Sequence, residues 1–232
     1  MTSPSGGPSA QPVNSPAAPN RVPGWAIGVD VGGTKIAAGI VDADGRILHR
    51  VRVATPETVE GIDEGIAGAV LSLTAQLASG GITAPGSSMA GHAPGSGAAA
   101  LSGPLPVGIA AAGFIDETRS VVRFAPNIPW REHPLANRIK RLTHLPVVVE
   151  NDANAAAWAE FRFGGGSGVD DMVMLTVGTG LGGGIVLGGS LLRGASGMAG
   201  ELGHVRAVQS DSAPSPGYRP STPPTCSANH DF

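Results

Sequence analysis

The chain has 232 residues, enough for one or two domains with a sizeable core. Hydrophobic residues make up 41% and charged residues 14%, and a formal charge of −3, from 15 basic and 18 acidic side chains, speaks against a nucleic-acid partner. The sequence lacks any run of about 18 or more apolar residues and any basic segment leading into a short apolar one, so no membrane span or secretory signal is expected and the protein is placed in the cytoplasm. The lone cysteine, Cys226, excludes an internal disulfide.

Residues 1–24, rich in Ser, Pro, Gly and Ala without apolar periodicity, are expected to be disordered. Ala26–Val29, Ile36–Val41 and Ile47–Val53 read as strands joined by turns at Gly32-Gly33 and Asp42–Gly45, an antiparallel start and not a βαβ unit. Pro56 then opens a helix with Thr55 as its cap. On that helix Val59, Ile62, Ile66, Val70, Leu73 and Leu77 share one face, which predicts core packing. Residues 80–104 read as a flexible Gly/Ala/Pro/Ser insertion, and His92 within it has no ligand partners.

Strand character returns at Pro106–Ala110, and a hairpin through Asp116 and Glu117 leads to Val121 and Val122. A helix over Glu132–Leu142, a short buried strand at Val147–Val149 and an alanine-rich helix over Ala153–Phe163, ended by Gly164–Gly168, follow. Met172–Val177 and Gly184–Leu187 read as strands around a second glycine turn, repeating the strand, turn, strand pattern of the first.

The chemistry concentrates in three places. In Asp30-Val31-Gly32-Gly33-Thr34-Lys35 the glycines permit close approach of backbone N–H groups to phosphate oxygens, Thr34 adds a hydroxyl donor, and Asp30 offers an oxygen ligand for Mg²⁺. An ordinary hairpin would also use Gly-Gly, Lys35 could point outward, and the Walker A spacing is absent. The second turn carries Gly178, Thr179, Gly180, Gly182 and Gly183. Its G-x-G-x-x-G spacing precedes a predicted strand and not a helix, so a phosphate-cradling hairpin fits better than a dinucleotide fingerprint. Two such turns suggest cradles closing on one polyphosphate from opposite sides.

Between them, VVVENDANAAAWAE places Asp152 at a strand-to-helix junction, either as the carboxylate that orients and deprotonates an acceptor hydroxyl or as a helix cap. Asn151 and Asn154 offer donors and acceptors for sugar hydroxyls. Glu201 and His204 could bind adjacent hydroxyls or form a surface pair, and His204 could donate a metal ligand. Asn127 is a further candidate for a sugar contact, and Gly113 either admits substrate closely or makes a steric turn.

In this order, DVGGTKIAAGIVD, GIAAAGFID, PNIPW, VVVENDANAAAWAE, TVGTGLGGGIV and GELGHV resemble the ROK (repressor, open reading frame, kinase) sugar-kinase family, particularly its actinobacterial-type glucokinases, over Trp25 to His204. The resemblance implies an α/β, actin-like ATPase (ribonuclease H-like) fold. It divides the chain into an N-terminal domain over 25–150 and an incomplete second domain over 151–208. It also implies ATP with Mg²⁺ as donor, glucose or a related sugar as acceptor, and a homodimer. Asp30 and Gly32–Thr34 then belong to the first phosphate site and Gly178–Gly184 to the second. Asp152 becomes the general base, and Gly113, Asn127, Asn151, Glu201 and His204 lie at the sugar. Family kinases continue from the E-x-G-H motif into a cysteine motif that binds structural Zn²⁺ with the histidine. Here residues 209–232 are Ser/Pro-rich and hold one cysteine, so His204 keeps at most a vestigial zinc role. The expectation is a truncated or frameshifted product with impaired activity, the alternatives being a non-catalytic sugar-binding protein or a kinase for another hexose or N-acylhexosamine.

Overall fold

Alternation along residues 26–54 folds as a meander. In the computed structural model, which describes residues 24–80, 104–178 and 180–204, β1 (Ala26–Val31), β2 (Lys35–Val41) and β3 (Ile47–Ala54) pair antiparallel in succession. β4 (Val107–Ala111) and β8 (Val147–Asn151) extend this sheet in parallel, giving the order β3-β2-β1-β4-β8. Expectations that fall on residues 1–23, 81–103, Thr179 and 205–232 lie outside the described residues.

Every second residue of the central strands points into one core. Ile27, Val29 and Val31 of β1, Ile36 and Ile40 of β2, and Val107 and Ile109 of β4 are buried there. Helix α1 (Val59–Ala78) covers them with Ile62, Ile66, Val70 and Leu73, all fully buried and each stabilising by about 1.5–3 kcal/mol. The predicted apolar stripe is therefore the core stripe.

The helix starts later than its predicted cap. Thr58, not Thr55, accepts the Gly61 N–H at 3.1 Å and caps it. Thr55 is engaged elsewhere: its hydroxyl donates to the Gly32 carbonyl at 2.7 Å and its N–H to the Thr34 carbonyl at 3.1 Å.

A small sheet joins β5 (Phe114–Ile115), β6 (Val122–Phe124) and β7 (Arg131–His133) in antiparallel order. The hairpin predicted through Asp116 is thus present. The helix expected from Glu132 begins instead at Leu135, because Arg131 and His133 pair with β6, Glu132 has φ 45°, and Pro134 precedes α2 (Leu135–Thr143). Asp63, on α1 and 1% exposed, accepts His133 Nε2 at 2.9 Å and Arg138 Nε at 2.8 Å, locking α1 to β7 and α2.

Beyond β8, helix α3 (Asp152–Phe163) packs on the hairpin of β9 (Met172–Val177) and β10 (Leu181–Leu187), with β11 (Ser190–Leu191) at its edge. β10 begins at Leu181 and not at Gly184, so Gly182 and Gly183 lie within a strand. A Cβ on Gly182 would stand 3.0 Å from Ala153 Cβ, and one on Gly183 would stand 2.8 Å from Leu202 Cδ1. Close packing accounts for both glycines. The other face of β9 is apolar and open, with Val173, Leu175 and Val177 exposed at 62%, 64% and 81%.

Asp63→Ala is expected to cost about 3 kcal/mol, because it strands a buried histidine and an arginine that lose their shared acceptor. Urea denaturation against the parent chain checks this; a loss below about 1 kcal/mol would put the lock in the range of surface pairs.

Candidate active site

Parallel pairing aligns the carboxyl ends of three strands. Asp30, Ala110 and Glu150 stand in one row, and Val31, Ala111 and Asn151 in the next. With strands about 4.8 Å apart, Asp30 and Glu150 lie about 10 Å from each other across this edge. Asn151 ends β8 and caps α3, its Oδ1 accepting the Asn154 N–H at 3.0 Å. The capping alternative weighed for Asp152 therefore belongs to Asn151. Asp152 is the first helical residue and stands at the edge, open to solvent on one side while its carboxyl is partly enclosed by the surrounding chain.

Burial around the side chain pushes the Asp152 carboxyl above its ordinary value, the Asp30 charge adds to this, and the Ala153 N–H, donating at 2.9 Å, opposes it. Two carboxylates thus face one opening.

The first glycine turn sits on this edge. The Gly32 N–H donates to the Lys35 carbonyl at 3.0 Å and Thr55 ties the turn from behind, whereas the N–H groups of exposed Gly33 and Thr34 have no partner among the described residues. A Cβ on Gly33 would stand 3.1 Å from the Asn127 carbonyl oxygen, so this turn and the exposed Asn127 loop touch. Gly113 accepts Asn151 Nδ2 at 3.1 Å through its carbonyl, and a Cβ there would stand 2.6 Å from the Phe124 carbonyl oxygen. Close backbone approach demands glycine at this position. Lys35 opens β2 and is exposed.

The second turn flanks the same edge. Because Gly182 packs on Ala153 and Gly184 on Ala157, β10 runs alongside α3 with its first residues beside the N-terminus of that helix. The Gly178 N–H donates to the Gly180 carbonyl at 3.0 Å. Asn154 is 2% exposed, so it stays inside and does not reach a sugar from the cleft. Gly200 passes 3.5 Å from Asn154 Oδ1 by its would-be Cβ, which brings half-buried Glu201 to the first turn of α3. His204 ends a 3₁₀ turn over Leu202–His204, and its side chain lies outside the described residues.

Sequence reasoning missed the residues that brace this edge. Asp116 accepts the N–H groups of Ser120 and Val121, both at 2.8 Å, and the Thr118 hydroxyl. Burial alone would raise its pKa; these hydrogen bonds outweigh it and lower it. Glu150 accepts Arg193 Nε at 2.8 Å and stands 3.3 Å from Arg119 Nε. A glutamate inside the apolar run VVVE was the available signal, since a buried carboxylate needs a partner.

Asp30 beside unpartnered N–H groups fits a hard cation with a polyphosphate, an all-oxygen arrangement. The zinc site does not fit: the chain has one cysteine, and the described residues contain no group of three or more His, Cys, Asp or Glu able to hold a metal. No described helix is long and apolar enough to cross a membrane.

A strand meander continued by parallel strands, with a glycine hairpin at either side of one edge, defines an actin-like, ribonuclease H-like α/β fold of the sugar-kinase kind. The chain belongs to the ROK family, whose model matches residues 26–92 and 97–227. The match runs past Val208, into the Ser/Pro-rich segment that lacks the family's cysteine motif.

A glucokinase of Streptomyces coelicolor is 48% identical over 185 residues, covering 80% of this chain and 50% of the relative. The structure of a ROK family glucokinase from Streptomyces griseus, in complex with glucose and AMPPNP, superposes with a TM-score of 0.64 at 49% identity, covering 80% of this chain and 51% of that one. A ROK hexokinase from Thermus thermophilus gives 0.61 at 37% identity, over 79% and 54% of the two chains. The chain spans about half the length of the curated relatives it matches.

The raised Asp152 pKa has a consequence for stability. The fold holds that proton more tightly than the unfolded chain, so stability from this group is greatest below the ordinary Asp pKa and falls as pH rises through the raised one. Asp152→Asn is expected to raise Tm at pH 7, with the gain shrinking on acidification through that window. A variant no more stable than the parent at pH 7 would overturn this.

Proposed function

We propose that this protein catalyses ATP-dependent phosphorylation of glucose at its 6-hydroxyl, with Asp152 as general base. The observation that carries the reading is the placement of Asp152 at the start of α3, on the edge it shares with Asp30, with its pKa raised and a glycine turn on either side. The likeness to a glucokinase that binds glucose and an ATP analogue supports it.

In this reading the glucose O6–H proton passes to the Asp152 carboxylate as the O6–P bond forms and the bond from phosphorus to ADP breaks. A base with a pKa raised towards working pH removes a hydroxyl proton more effectively than an ordinary carboxylate. Asn151, held by Gly113 and by its cap, and Glu201, at the end of the following loop, would orient the sugar together with Asn127. The N–H groups of Gly33 and Thr34 on one side, and the Gly178–Gly180 turn on the other, would receive the phosphates. Asp30 would hold Mg²⁺, directly or through water, and the ion would offset phosphate charge.

The test is glucose- and Mg²⁺-dependent ADP release by the purified chain, preceded by calorimetric titration with glucose. Asp152→Asn is expected to lower kcat by about a hundred- to ten-thousand-fold with little change in glucose binding. The acidic limb of the parent kcat/KM profile should lie above the ordinary aspartate pKa. Folded chain that binds no glucose, or a variant that keeps its turnover, would overturn the assignment. Preference for another hexose in a competition panel would correct the substrate alone.

A further inference from the structure

One buried carboxylate on this edge takes no part in the proposed chemistry. Glu150 is 8% exposed and follows core residue Val149, so it points to the opposite side of β8, in the same row as Asp30. Two other segments of the chain converge on it. Its Oε1 accepts the Asn151 N–H at 3.3 Å, its Oε2 accepts Arg193 Nε at 2.8 Å, and Arg119 Nε stands 3.3 Å from Oε2. Arg119 belongs to the turn braced by Asp116, and its carbonyl accepts the Val149 N–H at 2.9 Å. That side of the hub is built into the small sheet and into β8.

The Arg193 side is different in kind. Arg193 opens the segment that ends at Glu201, after β11 has finished. The Ala199 N–H donates to the Arg193 carbonyl at 2.9 Å and closes this segment into a loop. Gly194, Gly197 and Gly200 have φ of 71°, 83° and 91°, conformations that side chains rarely adopt. Gly197 lies directly against the Ile115 carbonyl, and Gly200 against Gly184 and Asn154. The loop therefore follows backbone surfaces with few side-chain anchors, and the charge-assisted bond from Arg193 to Glu150 fixes its start.

We infer that Glu150 is a positioning residue for the sugar site: through Arg193 it sets where the 193–201 loop, and Glu201 at its end, stands relative to Asn151 and Asp152. The inference rests on the sugar-kinase reading for its ligand, though not for its geometry. Removing one partner of a buried ion pair lowers stability in its own right. A bond that serves to place a loop is therefore read in sugar affinity and in local exchange, and not in Tm.

Glu150→Gln keeps the shape and removes the charge, and Arg193→Gln removes the other partner. Amide hydrogen exchange in the 193–201 segment is expected to speed up by about tenfold in each variant, with α1 protection unchanged. Glucose Kd and KM should rise about tenfold, while kcat and the KM for ATP stay within about threefold. The double variant should bind sugar no worse than Glu150→Gln alone, because Arg193→Gln removes a charge pair that Glu150→Gln has already broken. Arg193→Lys should recover part of the affinity.

Unchanged exchange in the loop, exchange that rises equally in α1, or losses that add in the double variant would each overturn the inference. Parent chain that binds no glucose overturns the kinase reading instead. The exchange measurement then still decides whether Glu150 sets the loop.

Discussion

The in-register parallel pairing of β1, β4 and β8 is the constraint on which the site depends. Ile27, Val107 and Val147 align at one end, and Val31, Ala111 and Asn151 at the other. Burial of the alternate residues under α1 enforces this register, since a slip of one residue would turn Asp30 into the core and Val29 out of it. The same apolar packing that stabilises the sheet thereby fixes which carboxylates meet at its edge. Asp30 and Asp152, 122 positions apart by their numbering, interact because β4 spaces their strands.

Around that edge the backbone comes unusually close to itself. Gly113 meets the Phe124 carbonyl, Gly33 meets Asn127, and Gly182 meets Ala153, each at a distance that leaves little or no room for a side chain. These contacts bring separate segments of the chain together around one edge, where partial burial and the nearby Asp30 charge raise the Asp152 pKa. A destabilised carboxylate is the physical counterpart of the role assigned to it, in keeping with the general trade between stability and activity at reactive sites.

Buried charge is used in two ways in this molecule. Asp63 joins α1 to β7 and α2 inside the first core, where both partners sit on regular elements. Glu150 joins the strand end to a loop whose own residues offer few anchors. The hairpin that precedes that loop has a small core of Ala157, Val186 and Leu191 against α3, and its outer face carries Val173, Leu175 and Val177 in the open. β9 is apolar on both faces, the pattern of a strand that is covered on both sides.

Local periodicity determined the elements: strands where apolar residues alternate in 26–54, a helix where Ile62, Ile66, Val70 and Leu73 recur, and glycine turns where two strands meet. The order of the motifs determined the family, and the residue types at Asp30 and Asp152 determined the candidate chemistry. Tertiary structure decided what spacing along the chain does not encode. Thr55 left its expected cap to brace the first turn, because Gly32 and Thr34 came within its reach. Residues 131–133 became a strand because β6 lay alongside. Gly182 and Gly183 belong to close packing because α3 and Leu202 press on β10. Glu150 and Arg193 share no local pattern, since an ion pair across 43 residues is set by how two sheets are placed and not by any local propensity.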